Sequence, residues 1–172
     1  MAIYSPAGVA SSRNRNAIWA DALADASAPT IAELTSTTAS LDFSCWLNVD
    51  WEGFSATQNK ETDERWCGNK FESMGDVEYT VGDLRYVVDP QATATDGTAR
   101  ASAFLTEGKR GYLVMRRGKN MDADIAAGDK VDVLFCQLGA PVPDQTGKNE
   151  PLRDRQAVAV VGDVQRNVTV VA

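Results

Sequence analysis

The sequence predicts a mainly β protein, an antiparallel β-sandwich or barrel with one α-helix on its flank. Three observations lead there. Short apolar runs rich in valine and threonine are broken throughout by Gly, Pro, Asn and Asp, a texture that favours strands. Several of these runs alternate with the period of two that marks a strand with one buried face. Only one stretch, Gly97 to Glu107, has the spacing of a convincing helix.

At 172 residues, 44% hydrophobic and 24% charged, the chain has the size and balance of one soluble domain spanning residues 1–172. No apolar run approaches a membrane span, and the N-terminus lacks a signal-peptide profile, so no membrane partner is expected.

Residues 1–29 are rich in Ala, Ser and Asn and read as an N-terminal arm or an edge strand, anchored by Ile18-Trp19. Thr30-Ile31-Ala32-Glu33 has capping-box spacing, so either a single helical turn or a plain turn follows Pro29. From Leu41 to Val49 the apolar positions Leu41, Phe43, Cys45, Leu47 and Val49 alternate, which predicts a half-buried strand. Trp46 then lies on the opposite face, exposed or covered by a neighbour.

Residues 50–75 turn polar. Their length exceeds that of a simple hairpin loop, so a functional or mobile loop is expected, strand-like around Phe54 to Thr62. From Asp76 to Pro90 lies the centre of the fold. Val77, Tyr79 and Val81 alternate with Glu78 and Thr80, then the apolar phase moves to Leu84, Tyr86 and Val88. Gly82-Asp83 is therefore a bulge or tight bend within the pattern, or the turn between two ordinary strands.

The helix from Gly97 to Glu107 takes Thr95 or Asp96 as its cap. It sets Ala101, Phe104 and Leu105 on one face and Arg100 and Glu107 on the other, and Gly108 stops it. Gly111 to Gly118 and Asp129 to Leu138 read as strands, and Gly139 to Pro151 as a loop. Gln156–Val161 and Val164–Val171 read as a closing pair turning at Gly162-Asp163.

Catalytic patterns are missing. The chain has no histidine, which removes Ser-His-Asp and Cys-His nucleophiles and imidazole zinc sites. Its three cysteines are far apart and read as free thiols in a reducing compartment. Asp122, Asp124 and Asp129 suggest calcium, but Ala126 and Ala127 stand where a ligand and the turn glycine belong. Gly147-Lys148-Asn149 fails as a phosphate loop, and Asn167-Val168-Thr169 is a glycosylation acceptor by chance. No cofactor and no enzymatic activity are expected. The net charge of −7 argues against a generic DNA-binding surface and suits one that repels nucleic acid.

Four stretches, in order, carry a resemblance. They are Ile18-Trp19 followed by Ala28-Pro29-Thr30-Ile31-Ala32-Glu33-Leu34, and Leu41-Asp42-Phe43-Ser44-Cys45-Trp46-Leu47. The third is Phe71-Glu72-Ser73-Met74-Gly75 running into Leu84-Arg85-Tyr86-Val87-Val88-Asp89-Pro90-Gln91, and the fourth Gly111-Tyr112-Leu113-Val114-Met115-Arg116-Arg117-Gly118. Together they resemble the major tail tube protein of bacteriophages with long non-contractile tails, most closely those of actinobacteria. The chain has Met74 where that family often has Pro, and a longer Ala/Ser/Asn arm before Trp19.

The resemblance implies a structural virion protein, made in the host cytoplasm, whose six-membered rings stack into a tail tube. One sheet from each subunit would join an inner barrel through which genomic DNA passes. The partners implied are further copies of the chain, the tape measure protein, and the tail terminator and tail tip proteins. Like-charged walls would keep contact with DNA weak. If the sheet carrying Val77, Tyr79 and Val81 lines the channel, Glu78 with Glu61, Asp63 and Glu64 forms its acidic lining. Residues 50–75 would be the inter-ring loop, and Trp46, Phe54, Trp66 and Phe71 the inter-subunit contacts. A monomeric β-sandwich binding or adhesion module is the alternative reading.

Overall fold

The computed structural model describes residues 8–11, 13–51, 53–93 and 100–172. They form a mainly β, antiparallel structure with two short helices. The strands are β1 (Arg15–Ala20), β2 (Ser40–Asp42), β3 (Phe54–Glu64), β4 (Lys70–Val81), β5 (Leu84–Val87), β6 (Arg110–Arg117), β7 (Lys130–Pro143) and β8 (Arg153–Thr169). Six of them make one sheet in the order β2-β1-β6-β7-β8-β5, while β3 and β4 pair only with each other.

Both faces of the large sheet are covered. One carries Ala17, Trp19, Leu113, Met115, Leu134, Cys136 and Leu138 beneath residues from β2, β5 and the adjoining loops. The other carries Ile18, Val114, Val131 and Val133 beneath Leu34, Leu23, Ile31 and Ile125. The alternation read along β6 and β7 is this division of side chains between two cores.

The N-terminal segment corrects the arm reading. Arg15–Ala20 is an interior strand, paired with β2 on one side and β6 on the other. Its composition looks like surface, but Arg15 and Asn16 find their partners inside the protein. The Asn16 amide donates to Asp42 at 3.0 Å and to the Met121 carbonyl at 3.1 Å. Trp19 is fully buried against Gly111, where an added Cβ would sit 2.7 Å from the indole nitrogen.

Helix α1 (Ile31–Leu34) carries the capping box that Thr30 and Glu33 spell out. Glu33 N–H donates to the Thr30 hydroxyl at 3.2 Å, and Thr30 N–H donates to the Glu33 carboxylate at 2.8 Å. The 41–49 strand shrinks to β2. Ser44 N–H donates to the Asp42 carboxylate at 3.0 Å, and Ala17 N–H to the Ser44 hydroxyl at 2.8 Å. These local bonds turn the chain out of the ladder, so Leu41 and Phe43 are buried while Cys45 and Val49 are exposed.

Gly82-Asp83 is a turn between strands of two different sheets, which is why the apolar phase shifts there. Leu84, Tyr86 and Val88 are buried, yet of the preceding set only Val81 reaches the core, and Val77 is exposed. In helix α2 (Arg100–Phe104), Ala101 and the following Leu105 are buried, and Lys109 Nζ lies 3.5 Å from the centre of the half-buried Phe104 ring. Gly108, at φ +74°, follows the helix as expected, whereas the caps Thr95 and Asp96 lie outside the described residues.

The two closing strands are one. β8 runs unbroken through Gly162-Asp163, and Gly162 serves a close approach, since its Cβ would meet the Phe135 ring at 2.9 Å. β7 likewise continues to Pro143, past the expected start of a loop at Gly139.

Asp129 is engaged by cations of its own chain. Arg116 is buried and donates to Asp129 at 3.0 Å, to Asn16 at 2.8 Å, and to the Asp124 carbonyl at 2.9 Å, while Lys119 also donates to Asp129. Burial would raise the Asp129 carboxyl pKa, but hydrogen bonds from Lys119, Arg116 and the Ala126 N–H outweigh it and hold it below its usual value. Its contribution to stability is therefore complete above the unfolded carboxyl value, about 3.9, and is lost as pH falls through the lower folded value. Replacing Asp129 by Asn weakens the compensation of a buried guanidinium and is expected to destabilise the subunit by about 3–5 kcal/mol near neutral pH. Urea unfolding checks this, and a loss below about 1 kcal/mol would contradict the role given to the pair.

Candidate assembly surface

The 50–75 segment is a hairpin. The expected strand character around Phe54 to Thr62 and the alternation of Val77, Tyr79 and Val81 belong to its two strands, but their outer parts are polar on both faces and read as a loop. Phe54–Glu64 and Lys70–Val81 pair in register from Phe54↔Val81 to Glu64↔Lys70. Gln58 pairs with Val77 but Lys60 with Met74, so β4 holds an extra residue at a bulge. An 11-residue strand such as β3 extends roughly 35 Å.

The root is firmly held. Trp51 Nε1 donates to the Gly82 carbonyl at 3.0 Å, and Gly82 N–H donates to Gly53 O at 3.0 Å. Gly53 has φ +86°, and a Cβ there would strike the Met115 methyl at 2.5 Å, so only glycine brings the hairpin this close to the core. The Arg166 guanidinium lies 5.5 Å from the centre of the Phe54 ring.

Paired residues of a two-stranded sheet point to one side, so the register sorts the side chains. One face carries Phe54, Ala56, Val77, Tyr79 and Val81 near the root, then Met74. Beyond Met74 the same face carries the ion pairs Lys60–Glu72 at 3.3 Å and Lys70–Glu64 at 3.6 Å. The opposite face carries Ser55, Thr80, Thr57 and Glu78, then Glu61, Asp63 and Phe71. Glu61, Asp63 and Glu78 thus share a face, while Glu64 lies on the other and is paired.

Of the aromatic candidates, Trp66 is fully exposed at the turn and Phe71 is exposed beneath Arg65, whose guanidinium is 5.1 Å from the ring centre. Phe54 packs at the root against Tyr79, centroids 6.3 Å apart. Trp46 lies off the hairpin and packs, half-buried, on the main core. The exposed Met74 and Val77 are not among the contact candidates read from sequence, where Val77 is expected on the buried face; the bulge puts them on the same face. Cys67 is exposed at the hairpin turn and Cys45 on the body, whereas burial pushes the Cys136 thiol up to about 12.

Among the described residues no group of His, Cys, Asp or Glu could hold a metal ion, and no helix is long and apolar enough to cross a membrane. What distinguishes this surface is a long hairpin whose outer part buries neither face, on a well-packed body. Residues 3–172 match the family model described as phage tail tube protein. The chain belongs to that family. Among curated proteins no relative matches it. Tail tube proteins are structural rather than enzymatic, and they assemble with copies of themselves and other tail proteins into the tube of the virion tail.

Proposed function

We propose that this tail tube protein forms six-membered rings that stack into a conduit for genomic DNA, with the β3–β4 hairpin as the main contact between rings. The observation that carries this reading is the hairpin itself. A two-stranded sheet alone is marginal in water, and this one leaves Met74, Val77, Phe71 and, above all, Trp66 exposed. Within the ring, β8 beyond Gln156 has a strand partner on one side only among the described residues, which suits joining of sheets into an inner barrel. The tape measure, terminator and tip proteins would bound the tube, and the subunit would be made in the host cytoplasm. Trp46, half-buried on the body, is the remaining contact candidate.

Hydrogen exchange tests the contact. Thr57 to Lys70 should exchange faster than β6 and β7 in the free subunit and become strongly protected in tubes; equal protection in both states contradicts it.

Glu78, in the half of the hairpin nearest the root, is the lumen-facing acid this reading prefers; Glu61 and Asp63 share its face further out, whereas Glu64 lies on the opposite face and pairs with Lys70. Changing Glu78 to Lys should leave tubes intact and slow DNA release, more so at low ionic strength, where attraction to phosphate is least screened. Unaltered release at low salt would remove Glu78 from the channel wall.

A further inference from the structure

One end of the large sheet is cationic in a way the acidic composition hides. Asp129 and Asp132 are buried there, with side chains 2% and 3% exposed, and each is shared by two cations. Arg116 and Lys119 bond to Asp129, and Arg117 and Arg166 to Asp132, at 2.6 and 3.7 Å in the latter pair. The acids lie beneath while the outer cations face water, Arg117 at 54% and Lys119 at 52%. Lys130 stands beside them, its Nζ on the Thr169 hydroxyl with no carboxylate in reach among the described residues. Arg117, Lys119 and Lys130 line one shallow depression with Gly118 and Gly128. Two buried negative charges do not neutralise this surface, so it presents surplus positive charge.

The outer half of the hairpin has the complementary chemistry. On one face its charges cancel in the pairs Lys60–Glu72 and Lys70–Glu64. On the other, Glu61 has no ion pair among the described residues, and Asp63 has only the exposed Arg65 at 3.4 Å. Trp66 offers an uncovered ring at the turn, and an indole face attracts ammonium and guanidinium groups. Carboxylates with an exposed aromatic are suited to a cationic depression. The bulge between Val77 and Met74 adds local twist, so the outer half need not face the same way as Glu78.

We propose that the outer hairpin, through Glu61, Asp63 and Trp66, docks on the cationic sheet end of a second copy, at Arg117, Lys119 and Lys130. This rests on the reading of the hairpin as the ring-to-ring contact and names its receiving surface. The contact is head-to-tail, since donor and acceptor patches differ, and such contacts propagate along an axis.

The test uses full-length subunits assembling into tubes, followed by sedimentation and electron microscopy. Lys119→Glu with Lys130→Glu, and separately Glu61→Lys with Asp63→Lys, should each raise the concentration needed for tubes at least tenfold. Combining all four in one chain should restore most of it. Tubes formed by either double variant at the unmodified concentration, or no rescue in the combination, overturn the proposal. Thermal unfolding of the free subunits guards against misfolding, and Lys119→Gln with Lys130→Gln supplies a milder pair. Assembly of the unmodified chain should weaken as salt rises, and lose that dependence in the Gln pair; unchanged dependence counts against docking here. A short DNA duplex bound by the free subunit and released by the Lys reversals, with assembly untouched, would reassign the patch to phosphate and overturn the proposal. If the unmodified chain forms no tubes, the ring-stacking reading fails first.

Discussion

A two-stranded ribbon that buries neither face is held in place only by its root, and the functional reading depends on that constraint. Trp51 reaching Gly82, the close approach of Gly53 to Met115, and Arg166 beside Phe54 fasten the ends of β3 and β4 to the main core. Beyond Phe54 and Val81 the subunit offers the ribbon almost no apolar cover. A two-stranded sheet with so little apolar cover adds little stability of its own.

The body supplies the opposite condition. Arg116 spends its N–H groups on Asn16, Asp129 and the carbonyls of Asn120, Ala123 and Asp124, tying β1 to β6 and both to the 118–129 loop. A guanidinium buried this way is tolerated because its donors are satisfied and a carboxylate lies beside it. The same arrangement sets the end of the sheet and holds Lys119 at its rim.

Much of the fold was legible because period-two burial and capping chemistry are local. Thr30 and Glu33 form their box, and Leu84, Tyr86 and Val88 are buried as their spacing predicts. The failures share a cause: tertiary partners that sequence does not display. Asn16 and Arg15 look like surface residues until Met121, Asp42 and the carbonyls of Val49 and Trp51 are found around them. Gly162 resembles a turn but makes room for Phe135. The aromatics Trp66 and Phe71 were visible in the sequence, whereas the partition of Glu61, Asp63 and Glu78 from Glu64 needed the register. Asp132, whose two arginines come from β6 and β8, carried no sequence signal.

Cryo-electron microscopy of assembled tubes would decide how the rings meet. Six subunits per ring are expected, with residues 54–81 extending from one ring to contact the next and Trp66 buried in that contact. Rings stacked through other segments, with the hairpin folded along its own subunit and Trp66 in solvent, would contradict that arrangement.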